Sequence, residues 1–164
     1  TSTNEKKSQK ITKGGSYINE EEKRITLEIL DDLKTTGELN GLDIGIITGY
    51  SGQKELLRKS IKATGLDKIA SKIDINTLDA FQGRENDIII YNTVRTRDSI
   101  GFQKEKERVN VAFSRAKKLL IICGDKNFFY NFDDQDNKFV EIIDYISEGE
   151  KCEMQAILHE GRSH

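Results

Sequence analysis

The chain of 164 residues has no proline and no tryptophan, two cysteines, two histidines, and no apolar run near the ~20 residues of a membrane span. Without proline, no turn or kink is set by a pyrrolidine ring. Cys123 and Cys152 lie far apart without metal-ligand spacing. Both read as reduced thiols of a cytoplasmic protein, with a disulfide as the minority alternative. No signal-peptide pattern opens the chain. Positive charge is lacking too: 26 Lys and Arg against 28 Asp and Glu leave a net charge of −2. The surface is therefore not basic throughout, and any phosphate-binding surface is local. No GxxxxGK[ST] stretch occurs, which excludes a self-contained phosphate-cradling loop. No GxGxxG follows a strand, which argues against a dinucleotide-dependent oxidoreductase. There is no internal repeat, and no cluster of acids with a lysine that would demand a nuclease.

The apolar runs that are present, DIGIIT, DIIIYNT and LLIICGD, are strong enough to nucleate a sheet. The length suits one domain with an ordinary core. Residues 1–15 are polar and aperiodic and are expected to be a loose lead-in; 161–164 resemble the start of a histidine tag. With no Met at its head, the chain reads as a piece of a longer protein. Between these ends the pattern predicts a helix over Asn19–Lys34, with Ile25, Ile29 and Leu33 on one stripe. Strand Ile44–Thr48, helix Gln53–Ala63, and strands Ile73–Leu78 and Asp87–Thr93 follow. A helix over Arg108–Lys118 leads into strand Leu119–Gly124, then helix 137–147 and a final strand near Glu153–Leu158. Short apolar runs alternating with helices predict an α/β fold: a mostly parallel sheet with helices on both faces. Such sheets bind ligands outside the carboxyl ends of their strands.

Two segments carry chemistry. In NTLDAFQGRENDIIIYNTVRT, residues 76–96, a polar loop with Asp79, Gln82, Gly83, Arg84 and Glu85 lies between two core strands. It is either a solvated connection or a ligand-binding edge, with Gly83 permitting close backbone approach. In RVNVAFSRAKKLLIICGD, residues 108–125, Arg108, Val111, Ala112 and Arg115 would share one face of a helix. Two guanidiniums on a stripe that competes with core require anionic partners. Those are either carboxylates of this chain, such as Asp79 and Glu85, or phosphates. A planar fork of donors suits a γ-phosphate.

Together these segments resemble motifs V and VI of superfamily 1 helicases, in the branch that includes the nonsense-mediated-decay RNA helicase, senataxin and the immunoglobulin-mu-binding helicase. The family pattern Val-Asp-x-Phe-Gln-Gly-x-Glu, an apolar strand and Val-Arg is matched by TLDAFQGRENDIIIYNTVR. Arg-x-Asn-Val-Ala-x-(Thr/Ser)-Arg-Ala is matched by RVNVAFSRA. IGIITGYSGQ, residues 44–53, is similar to the Ile-Thr-Pro-Tyr-x-x-Gln motif, with Gly49 where Pro is common, which predicts a more flexible loop. SYINEEE, residues 16–22, resembles motif IV. There the decay helicase has a phosphate-sensing arginine after the Asn, and this chain has Glu20. Residue chemistry alone gives the same segment another role, a capping box of Asn19 and Glu22.

The resemblance implies a second RecA-like motor domain over residues 16–160, with ATP and Mg²⁺ shared with a first RecA-like domain outside this chain. No Asp-Glu pair follows a buried strand in the order that would hold Mg²⁺ here. Carried over, Arg115 is the arginine finger and Glu85 accepts a bond from the ribose beside Gly83. Gln82 and Arg108 line the cleft, and Tyr17 lies near the base or ribose. Thr48, Tyr50 and Thr77 would touch a single strand of DNA or RNA from the sheet's other edge. Arg95, Arg97, Lys104 and Lys106 form a basic segment that adds affinity for the strand; a solvated loop is its favoured alternative. The expected partners are thus the first motor domain and single-stranded nucleic acid, not a membrane, and the fragment alone is expected to be inactive. The rival is a non-catalytic adaptor module that keeps a motor-like fold, to which Glu20 and Gly49 lend weight.

Overall fold

The computed structural model describes residues 9–37, 41–68, 72–81, 83–133, 135 and 137–148, and the backbone of 155–159. Gln82, Cys152 and residues 161–164 lie outside the described residues.

Strands β1 (Gln9–Ile11) and β2 (Tyr17–Asn19) pair antiparallel. They lead into helix α1 (Glu20–Thr35). Then come β3 (Asp43–Thr48), α2 (Ser51–Thr64), β4 (Lys72–Thr77) and β5 (Asn86–Asn92). A single 3₁₀ turn at Gly101–Lys104 precedes α3 (Lys106–Phe113) and β6 (Ala116–Cys123). Helices α4 (Lys126–Asn131) and α5 (Phe139–Glu148) and strand β7 (Gln155–His159) follow. The main sheet is parallel, five-stranded and ordered β4-β3-β5-β6-β7. This is the α/β RecA-like arrangement the sequence predicts.

The strands are apolar on both sides because both faces are covered. Ile44, Ile46, Ile88, Ile90, Ile121 and Cys123 pack under α1 and α2 with Ile25, Ile29, Leu57 and Ile61. Their strand neighbours Ile47, Ile89, Tyr91, Leu120 and Ile122 point to the opposite face and pack with Val109, Phe113, Phe129 and Phe139 from α3, α4 and α5. α1 begins where Asn19 Oδ1 accepts the Glu22 amide at 3.0 Å, with three acids in its first turn facing the helix dipole. α2 ends at Gly65, whose φ of 71° closes the helix in the left-handed region.

Two expectations are corrected. Gln9–Ile11, inside the segment expected to be loose, is a strand. Gln9 is 1% exposed, and its Oε1 accepts the Thr96 amide at 2.9 Å. Side-chain amide bonds hold this piece, and they leave no apolar period in the sequence. The helix expected to run to Lys118 stops at Phe113. Ser114 N and Arg115 N close the last turn on Asn110 O and Ala112 O, and Ala116 already pairs with Asn86. Lysines 117 and 118 favour helix locally, but parallel pairing with β5 overrides that preference.

Candidate functional site

β4 ends at the carboxyl edge of the sheet and β5 starts at the amino edge. The eight residues between them, 78–85, must therefore cross the sheet face. They do so over Gly45: an added Cβ there would lie 2.8 Å from Phe81 Cζ and from Ile89 Cδ1. Leu78 and Phe81 are buried in the same core as α3 and α5. The crossing delivers Gly83, Arg84 and Glu85, all exposed, to the amino edge. Gly83 has φ 76°, and nothing lies within 4 Å of where its Cβ would be. That backbone is open to an approaching ligand.

Arg115 arrives at the same edge from the other side. It occupies the turn between α3 and β6, and its carbonyl accepts the Asn86 amide at 3.0 Å. Glu85 and Arg115 each immediately precede a paired strand start, Asn86 and Ala116. Arg115 is half-buried. Its Nε is sealed from solvent without a hydrogen-bond partner, and it makes no ion pair among the described residues. Arg108 differs: it is exposed and pairs with Asp79 and Glu105. Of the two alternatives left by the sequence, Arg108 takes carboxylates of its own chain and Arg115 does not. The two arginines do not share a helical face, because the helix ends before Arg115. Val111, expected to belong to the core stripe, is 49% exposed beside them. The Arg108–Asp79 pair joins the two motif segments.

Thr48 and Thr77 are paired last residues of β3 and β4, so they lie at the carboxyl edge. The seven residues of β5 separate the edges by about 20 Å. Thr77 is half-buried there. Thr48 is fully buried, with its hydroxyl 3.4 Å from the Tyr50 amide that donates to it, so the expected hydroxyl contact to a strand is not offered. Tyr50, 7% exposed, packs edge-on against Tyr17 and Phe102. Burial raises its phenol pKa, and the Arg95 guanidinium opposes that. Arg95 does not stand in an open basic loop. It is 4% exposed, and its Cζ lies 3.9 Å from the Tyr17 ring centroid.

Asn19 Nδ2 donates to Val94 O at 3.0 Å, just past the end of β5, which fixes β2 and the start of α1 at the carboxyl edge. Tyr17 and Glu20 therefore stand at the carboxyl edge, about 20 Å of strand from the backbones of Arg115 and Glu85. Glu20 pairs with Lys23. Gly49 is not a loose point either: a Cβ there would meet Phe102 at 2.6–2.8 Å.

The sequence did not reveal the polar network behind this edge. Gln53 Oε1 accepts Asn19 N at 2.8 Å, and its Nε2 donates to Asn19 O and to Asn92 Oδ1. Asn92 Nδ2 donates to Thr26 Oγ1. Glu22 bonds Thr93 and Val94 instead of closing the expected capping box. These side chains fill the crevice between β3 and β5, where the strand order reverses and such sheets usually take a ligand. A signal was present: Gln53 opens the stripe Gln53, Leu57, Ile61, a polar residue on an apolar face.

A RecA-like sheet with Gly83, Glu85 and Arg115 at one edge, Arg115 without an ion pair among the described residues, fits a domain of the superfamily 1 helicase class. Comparison with known proteins agrees. Residues 1–127 match the family model described as an AAA domain. The chain is 36% identical over 136 residues to an uncharacterised ATP-dependent helicase of Methanocaldococcus jannaschii, covering 83% of the chain and 18% of that protein. It is 40% identical over 116 residues to the helicase SEN1 of Saccharomyces cerevisiae, covering 66% of the chain and 5% of that protein. A regulator of nonsense transcripts 1 homolog from Neurospora crassa is 37% identical over 116 residues, with 68% of the chain and 10% of that protein covered. The chain belongs to this AAA domain family, in the helicase branch that contains senataxin and the nonsense-transcript regulators. It spans less than a fifth of the length of these relatives. No helix among the described residues is long and apolar enough to cross a membrane.

Proposed function

We propose that this chain is the second motor domain of an ATP-dependent nucleic-acid helicase. Its amino edge completes an ATP site whose phosphate-cradling half lies in a first RecA-like domain. Its carboxyl edge takes part of a single strand of DNA or RNA. The observation that carries the proposal is Arg115, anchored at its backbone, half-buried, and without a carboxylate among the described residues. A guanidinium already neutralised by its own chain would have little to offer a phosphate; this one has its charge free, beside an open Gly83 and Glu85.

The residues present fit part of a nucleotide. Arg115 suits the γ-phosphate, Glu85 a ribose hydroxyl, and Gly83 close passage of the backbone. ATP with its Mg²⁺, held from the first domain, would supply the phosphoryl-transfer chemistry. Arg115 would complement the developing charge only when the two domains close. Arg108, tied to Asp79, joins α3 to the start of the segment that crosses the sheet face. With Gln82, it lines the cleft. Loss of the Arg115 contact after hydrolysis would let the domains part, and a changed grip on the strand would follow as a shift between two states. At the carboxyl edge, Thr77, the Tyr50 region and backbone groups position the strand without reading its sequence. Thr48 takes part through its backbone surroundings, and Arg95 by shaping the Tyr17 ring. The adaptor alternative keeps its support from Glu20, where the arginine is lacking, and loses that from Gly49, which is packed under Phe102.

In the full-length protein, Arg115→Ala is expected to lower ATP turnover by roughly 10³-fold or more, with single-strand affinity and the circular dichroism spectrum retained. Near-normal turnover in that variant would remove Arg115 from the mechanism.

A further inference from the structure

Val94 has φ 67°. A β-branched residue in the left-handed region is a true outlier, and valine has no side-chain hydrogen bond with which to hold itself there. The conformation is imposed by neighbours. Glu22 receives the Val94 amide on both carboxylate oxygens, at 2.9 and 2.8 Å, and the Thr93 hydroxyl at 2.9 Å. Asn19 Nδ2 holds the Val94 carbonyl at 3.0 Å. Gln103 Nε2 donates to Thr93 O at 2.8 Å, and Gln9 Oε1 accepts Thr96 N at 2.9 Å. The reversal that results, immediately after β5, turns Arg95 back over the face of Tyr17.

Glu22 is an expensive residue to place here. It is 3% exposed and has no ion pair among the described residues. Burial pushes its carboxyl pKa up to about 8, and Asp125 adds to the shift. An apolar side chain would fill the space without burying a polar group. What the carboxyl group provides is two oxygens converging on one strained amide and its neighbouring hydroxyl.

We infer that Glu22 is a positioning residue for the single strand: by fixing Val94 in the left-handed region it sets the Arg95–Tyr17 stack that shapes the carboxyl edge. This rests on the assignment of that edge to nucleic acid under the proposed function.

The test uses the full-length protein and fluorescence anisotropy with a labelled single-stranded DNA and an RNA of the same sequence. Glu22→Leu is expected to weaken binding about tenfold. Adding Val94→Gly to that variant is expected to restore most of the affinity, because glycine takes a positive φ unaided. Urea melts of each variant separate this from a stability role alone, in which affinity lost and restored would follow the folded fraction and the inference would be overturned. Thr77→Asp, at the same edge and away from Glu22, is expected to weaken binding by itself. If Glu22→Leu does not fold, Glu22→Gln keeps one acceptor and should show a smaller loss that Val94→Gly again repairs. Wild-type affinity in the Glu22 variant, or no rescue by glycine, overturns the inference while a weakened Thr77→Asp keeps the edge assignment. Unchanged binding by Thr77→Asp overturns the edge assignment, and the inference with it.

Discussion

Glu22 ties the protein's stability to pH with a sign that can be worked out. Its carboxyl titrates near 4.5 when exposed and is pushed up to about 8 in the fold. Between those values the folded chain holds a proton that the unfolded chain has released, so stability falls as pH rises. The contribution is complete below about 4.5 and is lost as pH passes 8. Urea melts from pH 5 to 8.5 should show wild-type stability declining across that window and Glu22→Gln declining less. Parallel curves would mean the carboxyl is not sealed as described. The residue scale is also where the sequence was least legible. Arg108 and Arg115 look alike as letters, yet one pairs with Asp79 and the other has no ion pair among the described residues. Gln53, Asn92 and Glu22 read as ordinary polar residues because their partners lie 34 to 72 positions away.

At the scale of elements, hydrophobic period was a good guide. β3, α2, β4 and β5 fall within two residues of their expected bounds, because each carries its own apolar face. The failures have a common cause. β1 is held by the amide of Gln9, and α3 is cut short by strand pairing at Ala116; both are decided by contacts distant in sequence. The crossing over Gly45 is a third such feature, since nothing in DIGIIT announces that Phe81 will lie on it. Gly45→Val should force Phe81 and Ile89 apart and lower stability by about 1–3 kcal/mol, measured as a shift in urea midpoint at unchanged slope. A variant as stable as wild type would show that the crossing segment has slack, and that Glu85 is not held as firmly as its backbone suggests.

The proposed function separates two tasks by the length of a strand. Gly83, Glu85 and Arg115 occupy the amino edge, while Thr77 and the Tyr17–Tyr50 cluster occupy the carboxyl edge. The motifs in the sequence point to both groups as candidates, but the general rule for parallel sheets favours the carboxyl edge for the nucleotide. The fold fills that crevice with its own polar side chains and presents Arg115 at the opposite end. Such a placement makes sense for a domain that contributes half a site to a neighbour. It would also let an acidic domain of net charge −2 take a strand, since the proposed contact is local and made at one rim.

The most direct test of that division is ATP hydrolysis by purified protein in two forms, this domain alone and the full-length chain, each with and without single-stranded nucleic acid. No turnover is expected from the isolated domain, and strand-stimulated turnover from the full-length chain that collapses with Arg115→Ala. Hydrolysis by the isolated domain, indifferent to Arg115→Ala, would contradict this expectation.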